Sequence, residues 1–406
     1  MLFEGAAFLG GITIMAASGA VALFIDSMTG SVALVGLAIT LQALCMRVGQ
    51  IVGAPFVNMI RDLPKTLFHA MILERVLPFL MAIPLFLGVG AYPSVVIFLV
   101  LYGLFWLGDG MITVPWSELT ARAIKPELRG HMMGMQVAIG GGLSLLTGLF
   151  LAWLLATPLL TDHFRFGYIF LLTGVVILTS VIFIRLVKDP SPISIPEKAD
   201  FKKYFSKLPS MIKESKPLQH AIVARIPGYI GFSVITFMVV FGAHALDISD
   251  AQISWLVYSQ IIGGLIGGIV LGEASRRFGN KAVILLCNYG VLLTLAMALL
   301  LIFFPSLGYI WLISVCALAS LWFNNWLGYI NYTLDIAPKE NRPAFQVICN
   351  IAGIPFSFIG YGIGIIIDSW GYAVAFIIGC ITTIIAIIAS MRLLSRRRIK
   401  ALKLPR

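Results

Sequence analysis

Along its 406 residues the chain alternates long apolar runs with short polar breaks, except for one long polar stretch near the middle. That stretch, Lys188 to Pro217, is charged and Pro-rich. A membrane-spanning helix needs about 20 mostly apolar residues. By that length the pattern predicts helices over Gly5–Phe24, Val32–Ile60, Phe68–Val89, Ser94–Trp116, Met132–Thr157 and Phe166–Val187. After the polar stretch it predicts Gln219–Ala245, Ile253–Ser275, Ala282–Phe304, Gly308–Leu334, Phe345–Ile367 and Tyr372–Leu394. The expectation is an all-α polytopic membrane protein with about twelve spans. It would comprise an N-terminal six-helix bundle (1–187), a central loop (188–217), a C-terminal six-helix bundle (218–395) and a basic tail (396–406).

Within the loop, Phe201, Tyr204, Phe205, Leu208 and Ile212 recur at helical spacing, with Lys202, Lys203 and Lys207 between them. This spacing predicts an amphipathic helix lying on the membrane surface. A disordered linker with chance periodicity is the alternative, and either would tether the two bundles.

Composition narrows the class. Hydrophobic residues make up 59% of the chain and charged residues 12%, and mean hydropathy is +0.97. A soluble domain carries about 25% charged residues. Lipid admits only helices and closed barrels, and barrel strands of about ten alternating residues do not fit these unbroken runs. The net charge of +11 raises nucleic acid as a partner, but the positions of the charges exclude it. Arg61, Lys65, Arg122, Lys125, Arg129, Arg276, Arg277, Lys281, Lys339, Arg342 and Arg396–Arg398 fall in alternate breaks or the tail, while the intervening breaks contain only Arg165. Basic loops stay cytoplasmic, so both termini and the central loop are expected inside, in the plasma membrane. The first run continues directly into others, unlike a cleaved signal peptide. The five cysteines lie within apolar runs without metal-ligand spacing, and the five histidines do not cluster. Neither metal, cofactor nor enzyme chemistry is expected.

The halves echo one another. Ile124–Gly130 (I-K-P-E-L-R-G) and Ala337–Pro343 (A-P-K-E-N-R-P) both place a proline ahead of Glu-x-Arg at the same ordinal break, giving the pairs Glu127/Arg129 and Glu340/Arg342. Ile60–Lys65 likewise matches Arg276–Lys281. Parallel repeats of this kind build transporters with the site where the repeats meet. With these features the chain resembles the major facilitator superfamily over essentially its whole length. The most specific motif is G-E-A-S-R-R-F-G-N-K, with Gly272, Glu273, Arg276, Arg277 and Lys281 as cytoplasmic gate candidates. It departs from the family signature in having Arg276 at the usual aspartate position, and its first-half counterpart, Asn58–Lys65, is more degraded. Physically, a helix-end glycine permits close approach, and basic side chains can bond the terminal carbonyls of a neighbouring helix; simple positive-inside topology also accounts for these charges. The fifth run contains Gly140-Gly141-Gly142 without the Gly-Pro signature of efflux branches, and no sugar-porter signature is present.

Charges inside spans are expensive and usually face the bundle interior or a cavity. Arg47, Asp109 and Arg225 stand out. Arg47 and Asp109 sit at similar depth and invite pairing, either as packing or for proton coupling or substrate charge. Arg225 is a substrate contact or snorkels to the interface. The resemblance implies that the first, fourth, seventh and tenth spans line a cavity. The fourth offers Trp106, Asp109, Thr113 and Trp116; the seventh Arg225, Tyr229, Ser233 and Thr236; the tenth Ser320, Asn324, Asn325, Gly328 and Asn331 beside Trp322, Trp326 and Tyr329. The first is poor, with Thr13 and Ser18.

The functional expectation is a monomeric secondary active transporter of a small organic solute working by alternating access, with H+ as the driving ion and uncoupled diffusion left open. Aromatic and amide groups with few charges favour a neutral or amphiphilic solute, either taken up or exported, over a multiply charged one. A non-transporting assembly factor or sensor on the same scaffold is the alternative.

Overall fold

A computed structural model describes residues 1–15, 20–156, 161–190, 201–238, 241–242 and 250–402. The regular secondary structure assigned among them is helical. The helices are α1 (Leu2–Ile12), α2 (Ala20–Thr29), α3 (Val32–Gly53), α4 (Leu63–Arg75), α5 (Leu77–Phe86), α6 (Ala91–Ala123), α7 (Pro126–Ala156) and α8 (Asp162–Arg185). They continue with α9 (Phe201–Glu214), α10 (Lys216–Ile235), α11 (Asp250–Phe278), α12 (Asn280–Phe303), α13 (Gly308–Phe323), α14 (Trp326–Ile336), α15 (Arg342–Gly353), α16 (Ile359–Met391) and α17 (Arg396–Leu402). Eight helical stretches among the described residues are long and apolar enough to cross a membrane. They correspond to the expected second, third, fourth, sixth and ninth to twelfth spans. The first, fifth and seventh spans include residues outside the described set, and the eighth lies in α11. Ser18 and residues 191–200 of the central loop also fall outside that set.

Local chemistry sets the helix boundaries. Ser31, Asp62 and Ser215 cap α3, α4 and α10 by accepting from the backbone N–H three residues on. Asp62 moves the start of the third span into what the sequence presented as a polar break. Chain reversals use glycine where φ is positive, as at Gly279 (87°) between α11 and α12. Another positive φ, 81° at Gly371, divides α16 into the ends of the expected eleventh and twelfth spans.

Several expected spans are broken rather than continuous. Pro78 has no N–H for the carbonyl of Glu74, four residues earlier, so the third span divides into α4 and α5. The tenth divides at Asn324, whose ψ of 22° leaves the helical range. A 3-10 turn over Ile354–Phe358, with Pro355, separates α15 from α16. α9 forms where the aromatic and lysine spacing predicts a helix.

The chain packs as two units. Unit 1 comprises residues 1–124 and 139–206, and unit 2 comprises 125–138 and 207–406. In unit 1, Phe24 of α2 meets Phe98 of α6 and Phe166 and Phe170 of α8 edge-on, at ring-centroid distances of 5.0–5.2 Å. In unit 2, Ile377, Ile381, Ile384 and Ile388 form an exposed stripe along α16, while Phe376, Thr383, Ala386 and Ser390 are buried. An apolar stripe turned outward opposite a face containing hydroxyls is what lipid selects.

Candidate functional site

Unit 1 buries a cluster of charged groups. The break between α4 and α5 leaves Glu74 and Arg75 at the end of α4, both almost wholly inaccessible. Arg75 reaches Glu4 on α1, Nη2 to Oε1 at 3.2 Å, and its Nε lies 3.5 Å from Glu74 Oε2. It also donates to Ser180 of α8, and the guanidinium sits 4.8 Å from the Phe8 ring centroid. Trp116 Nε1 of α6 donates to Glu4 Oε2 at 2.7 Å. Neither oxygen of Glu74 accepts a hydrogen bond. Asp109 of α6 is also buried, and the charges acting on it are those of Arg75 and Glu4. Glu4 and Glu74 thus share the Arg75 guanidinium in a water-poor interior, with buried Asp109 within electrostatic reach and the Met1 ammonium near Glu4.

This differs from the expected pairing of Arg47 with Asp109. The face of α6 towards α3 contains Gly110, and the Cβ position of Gly49 on α3 would fall 3.0 Å from Gly110 Cα. The charges acting on Asp109 are those of Arg75 and Glu4, with Arg47 not among them. One residue before Asp109, Gly108 faces Glu74, with its Cβ position 3.2 Å from Glu74 Cγ. Asp109 thus belongs electrostatically to the α1/α4 cluster, while Arg47 lies half-buried on α3. Sequence reading missed Glu4, Glu74 and Arg75. The legible signal was an adjacent acid–base pair inside the third apolar run.

The other fourth-span candidates have simpler surroundings. Thr113 donates to the Asp109 carbonyl of its own helix at 2.8 Å. Trp106 is buried against Tyr102 and Phe105, and its Nε1 has no hydrogen-bond partner. On α1, Thr13 Oγ1 lies 2.8 Å from Ser144 Oγ.

In unit 2, the Arg225 guanidinium of α10 sits between Tyr229 of its own helix and Tyr329 of α14. Its guanidinium carbon is 5.3 Å from the ring centroids of both Tyr229 and Tyr329. Tyr229 stacks on Phe356 at 5.5 Å. Ser233 is half-buried one turn further along. Asn324 Nδ2 donates to the Gly264 carbonyl of α11 at 3.1 Å, and the Asn325 carbonyl accepts from Gly328 N as α14 begins. The Asn324 side-chain amide thus ties the break in the tenth span to α11, while Asn325 contributes its main-chain carbonyl there.

The gate candidates are also in unit 2. Gly272 of α11 lies against the start of α7, where a Cβ would approach Gly134 Cα to 3.0 Å. Glu273 accepts from Arg276 Nε at 2.7 Å and from Arg277. Lys281 Nζ donates to the Met391 and Leu393 carbonyls at 2.6 and 2.7 Å, capping the end of α16. Glu127 pairs with Arg396 at 3.3 Å. Arg129 pairs with Asp335 at 3.3 Å, and Asn280 Nδ2 donates to the other Asp335 oxygen at 2.7 Å. Asp335 had given no sequence signal, because it sits at the end of an apolar run. Arg342 is buried at the start of α15, whereas Glu340 is exposed.

Among the described residues, no group of three or more His, Cys, Asp or Glu side chains is placed to hold a metal ion.

Comparison with known proteins gives the fold a context. Residues 221–405 match the sequence model of the Major Facilitator Superfamily. No curated protein matches the chain by sequence. The crystal structure of the E. coli fucose:proton symporter is similar over 97% of this chain and 98% of its own, at 14% identity and a TM-score of 0.70. A bacterial homologue of the iron transporter ferroportin, in an outward-facing state, is similar over 97% and 96%, at 12% identity and a TM-score of 0.70. A proton:xylose symporter bound to 6-bromo-6-deoxy-D-glucose is similar over 99% and 98%, at 12% identity and a TM-score of 0.68. The C-terminal part of the chain thus matches the Major Facilitator Superfamily model over residues 221–405, and the chain shares the all-α polytopic fold of these transporter structures over 97% or more of its length.

Proposed function

We propose that the protein is a secondary active transporter that moves a small organic solute by alternating access, driven by protons through the buried cluster of unit 1. The observation that carries the coupling is the charge count: Glu4, Glu74 and Asp109 are buried with one guanidinium, Arg75. Uncompensated charge inside a membrane protein is expensive and marks functional pathways, proton relays among them. Arg75 and the Met1 ammonium near Glu4 balance at most two of the carboxylates, and a proton is the mobile counterion for what remains. Glu74, with no hydrogen bond to its carboxyl, is positioned to take up and release a proton. The fucose and xylose symporters named above are proton-coupled by their descriptions, which adds support.

We place the transporter in the plasma membrane as a monomer, with both termini and the central loop cytoplasmic, because the basic residues lie in the breaks on that side. The test is flux in proteoliposomes with an imposed pH gradient, using a solute first found by ligand-induced thermal stabilisation. Uphill accumulation in wild type and its loss in Glu74→Gln, with solute exchange retained, are expected. Accumulation unaffected by Glu74→Gln, Glu4→Gln and Asp109→Asn sinks the coupling assignment. Stabilisation without flux favours the sensor reading.

A further inference from the structure

Among the described residues, unit 2 contains a cation without a carboxylate counter-charge. Arg75, Arg122 and Arg129 each face a carboxylate. Arg225 does not: the groups acting on it are Tyr229, Cys349 and Tyr329, and no carboxylate among the described residues pairs with it. An arginine side chain stays protonated in proteins, so it cannot shed its charge to suit an apolar site. A bundle that keeps such a group near the middle of α10 needs an anion to satisfy it, from the protein or from a ligand.

The surroundings define that anion. Aromatic rings attract a guanidinium through their π faces, as Tyr229 and Tyr329 do at 5.3 Å. They leave its N–H donors, which lie in the guanidinium plane, still to be satisfied. The Cys349 sulfur, a weak acceptor, lies beside the guanidinium. The donors form a planar fork whose best partner is a two-oxygen anion such as a carboxylate. Tyr329 is itself held in place, donating to the Ala224 carbonyl at 3.2 Å. Tyr229 stacks on Phe356 with an interplanar angle of 15°, giving an aromatic wall beside the charge. Arg225 is half-buried, so it is shielded but still reachable.

We infer that Arg225, between Tyr229 and Tyr329, binds the carboxylate of a monoanionic solute whose apolar or aromatic body lies along the Tyr229–Phe356 pair. The inference rests on the transporter reading above and names the class of its substrate. It narrows the sequence expectation of a neutral or amphiphilic solute to an amphiphile with one negative charge.

The test uses purified full-length protein and three matched pairs of probes: phenylacetate, hydrocinnamate and phenylbutyrate, each against its primary amide. Binding is measured by calorimetry near neutral pH. At least one acid should bind about tenfold or more tightly than its amide, and Arg225→Gln should weaken that acid about ten- to a hundred-fold while leaving the amide unchanged. Arg225→Lys keeps the charge but loses the fork, so it should retain part of the preference. That variant decides the matter if Arg225→Gln does not fold. Acids binding no better than amides overturn the inference, including the case in which nothing binds. So does an acid preference that survives Arg225→Gln, or one that Arg225→Lys abolishes. Phenylbutyrate flux in proteoliposomes separates this from the underlying reading. Acid-selective binding without flux overturns the transporter and leaves the site standing. Proton-driven flux of the amide that ignores Arg225→Gln overturns the site and leaves the transporter.

Discussion

Glu74 and Arg75 show how neighbours in sequence acquire unequal roles. Arg75 is satisfied on several sides, by Glu4, Ser180 and the Phe8 ring, whereas Glu74 has only the 3.5 Å approach of Arg75 Nε. Removing one partner of a buried ion pair leaves the other stranded, at a cost of about 3–5 kcal/mol. Arg75→Met should therefore lower the thermal unfolding midpoint of the purified protein sharply, and adding Glu4→Gln and Glu74→Gln should restore most of the loss. No change in midpoint for the single variant would show that the cluster contributes little to stability. Asp109→Asn separates stability from coupling, since it removes one carboxyl and leaves the Glu4–Arg75 pair intact. A small stability change together with altered pH dependence of flux is expected, and identical pH profiles would remove Asp109 from the coupling group.

At the scale of helices, the close contacts are made by glycines and the direction changes by prolines and asparagine. In unit 2, a Cβ on Gly134 would fall 2.5 Å from Gly272 Cα, whereas one on Gly142, in the part of the same helix that belongs to unit 1, would have nothing within 4 Å. Overpacking typically costs about 1–3 kcal/mol, so Gly134→Val should lower the unfolding midpoint and Gly142→Val should not. Equal effects would mean that the α7–α11 contact is not tight in solution. Lys281 is a second device at this scale, because its amine holds the Met391 and Leu393 carbonyls at the end of α16. Such a C-terminal cation is favourable by the same logic that places basic residues at helix ends. Periodicity predicted which segments are helical, but it could not reveal the break at Asn324. Hydropathy is blind to a backbone angle, and the two asparagines read equally well as a polar stripe.

For the whole molecule, charge position predicts orientation. Reporter fusions within Lys188–Pro217 should report a cytoplasmic location, and an external one would invert the topology and with it the inside assignment of the Glu273, Arg276 and Arg277 group. Apolar runs, their lengths and the asymmetry of lysine and arginine were enough to specify a polytopic helical protein. Lipid permits few architectures, so each of these properties can be read one segment at a time. The repeat of Glu-x-Arg at matching breaks was enough to suggest the superfamily. Tertiary structure alone decided which charges meet. Glu4, Glu74 and Asp109 are far apart in sequence and are brought near Arg75 because α4 packs on α6 and both α1 and α4 pack on α8. Arg225 is distinguished by the absence of a carboxylate partner among the described residues, a property of its surroundings and not of its own segment. Hydropathy is local and survives in a linear reading. Electrostatic partnership depends on distances that exist only once the helices have packed.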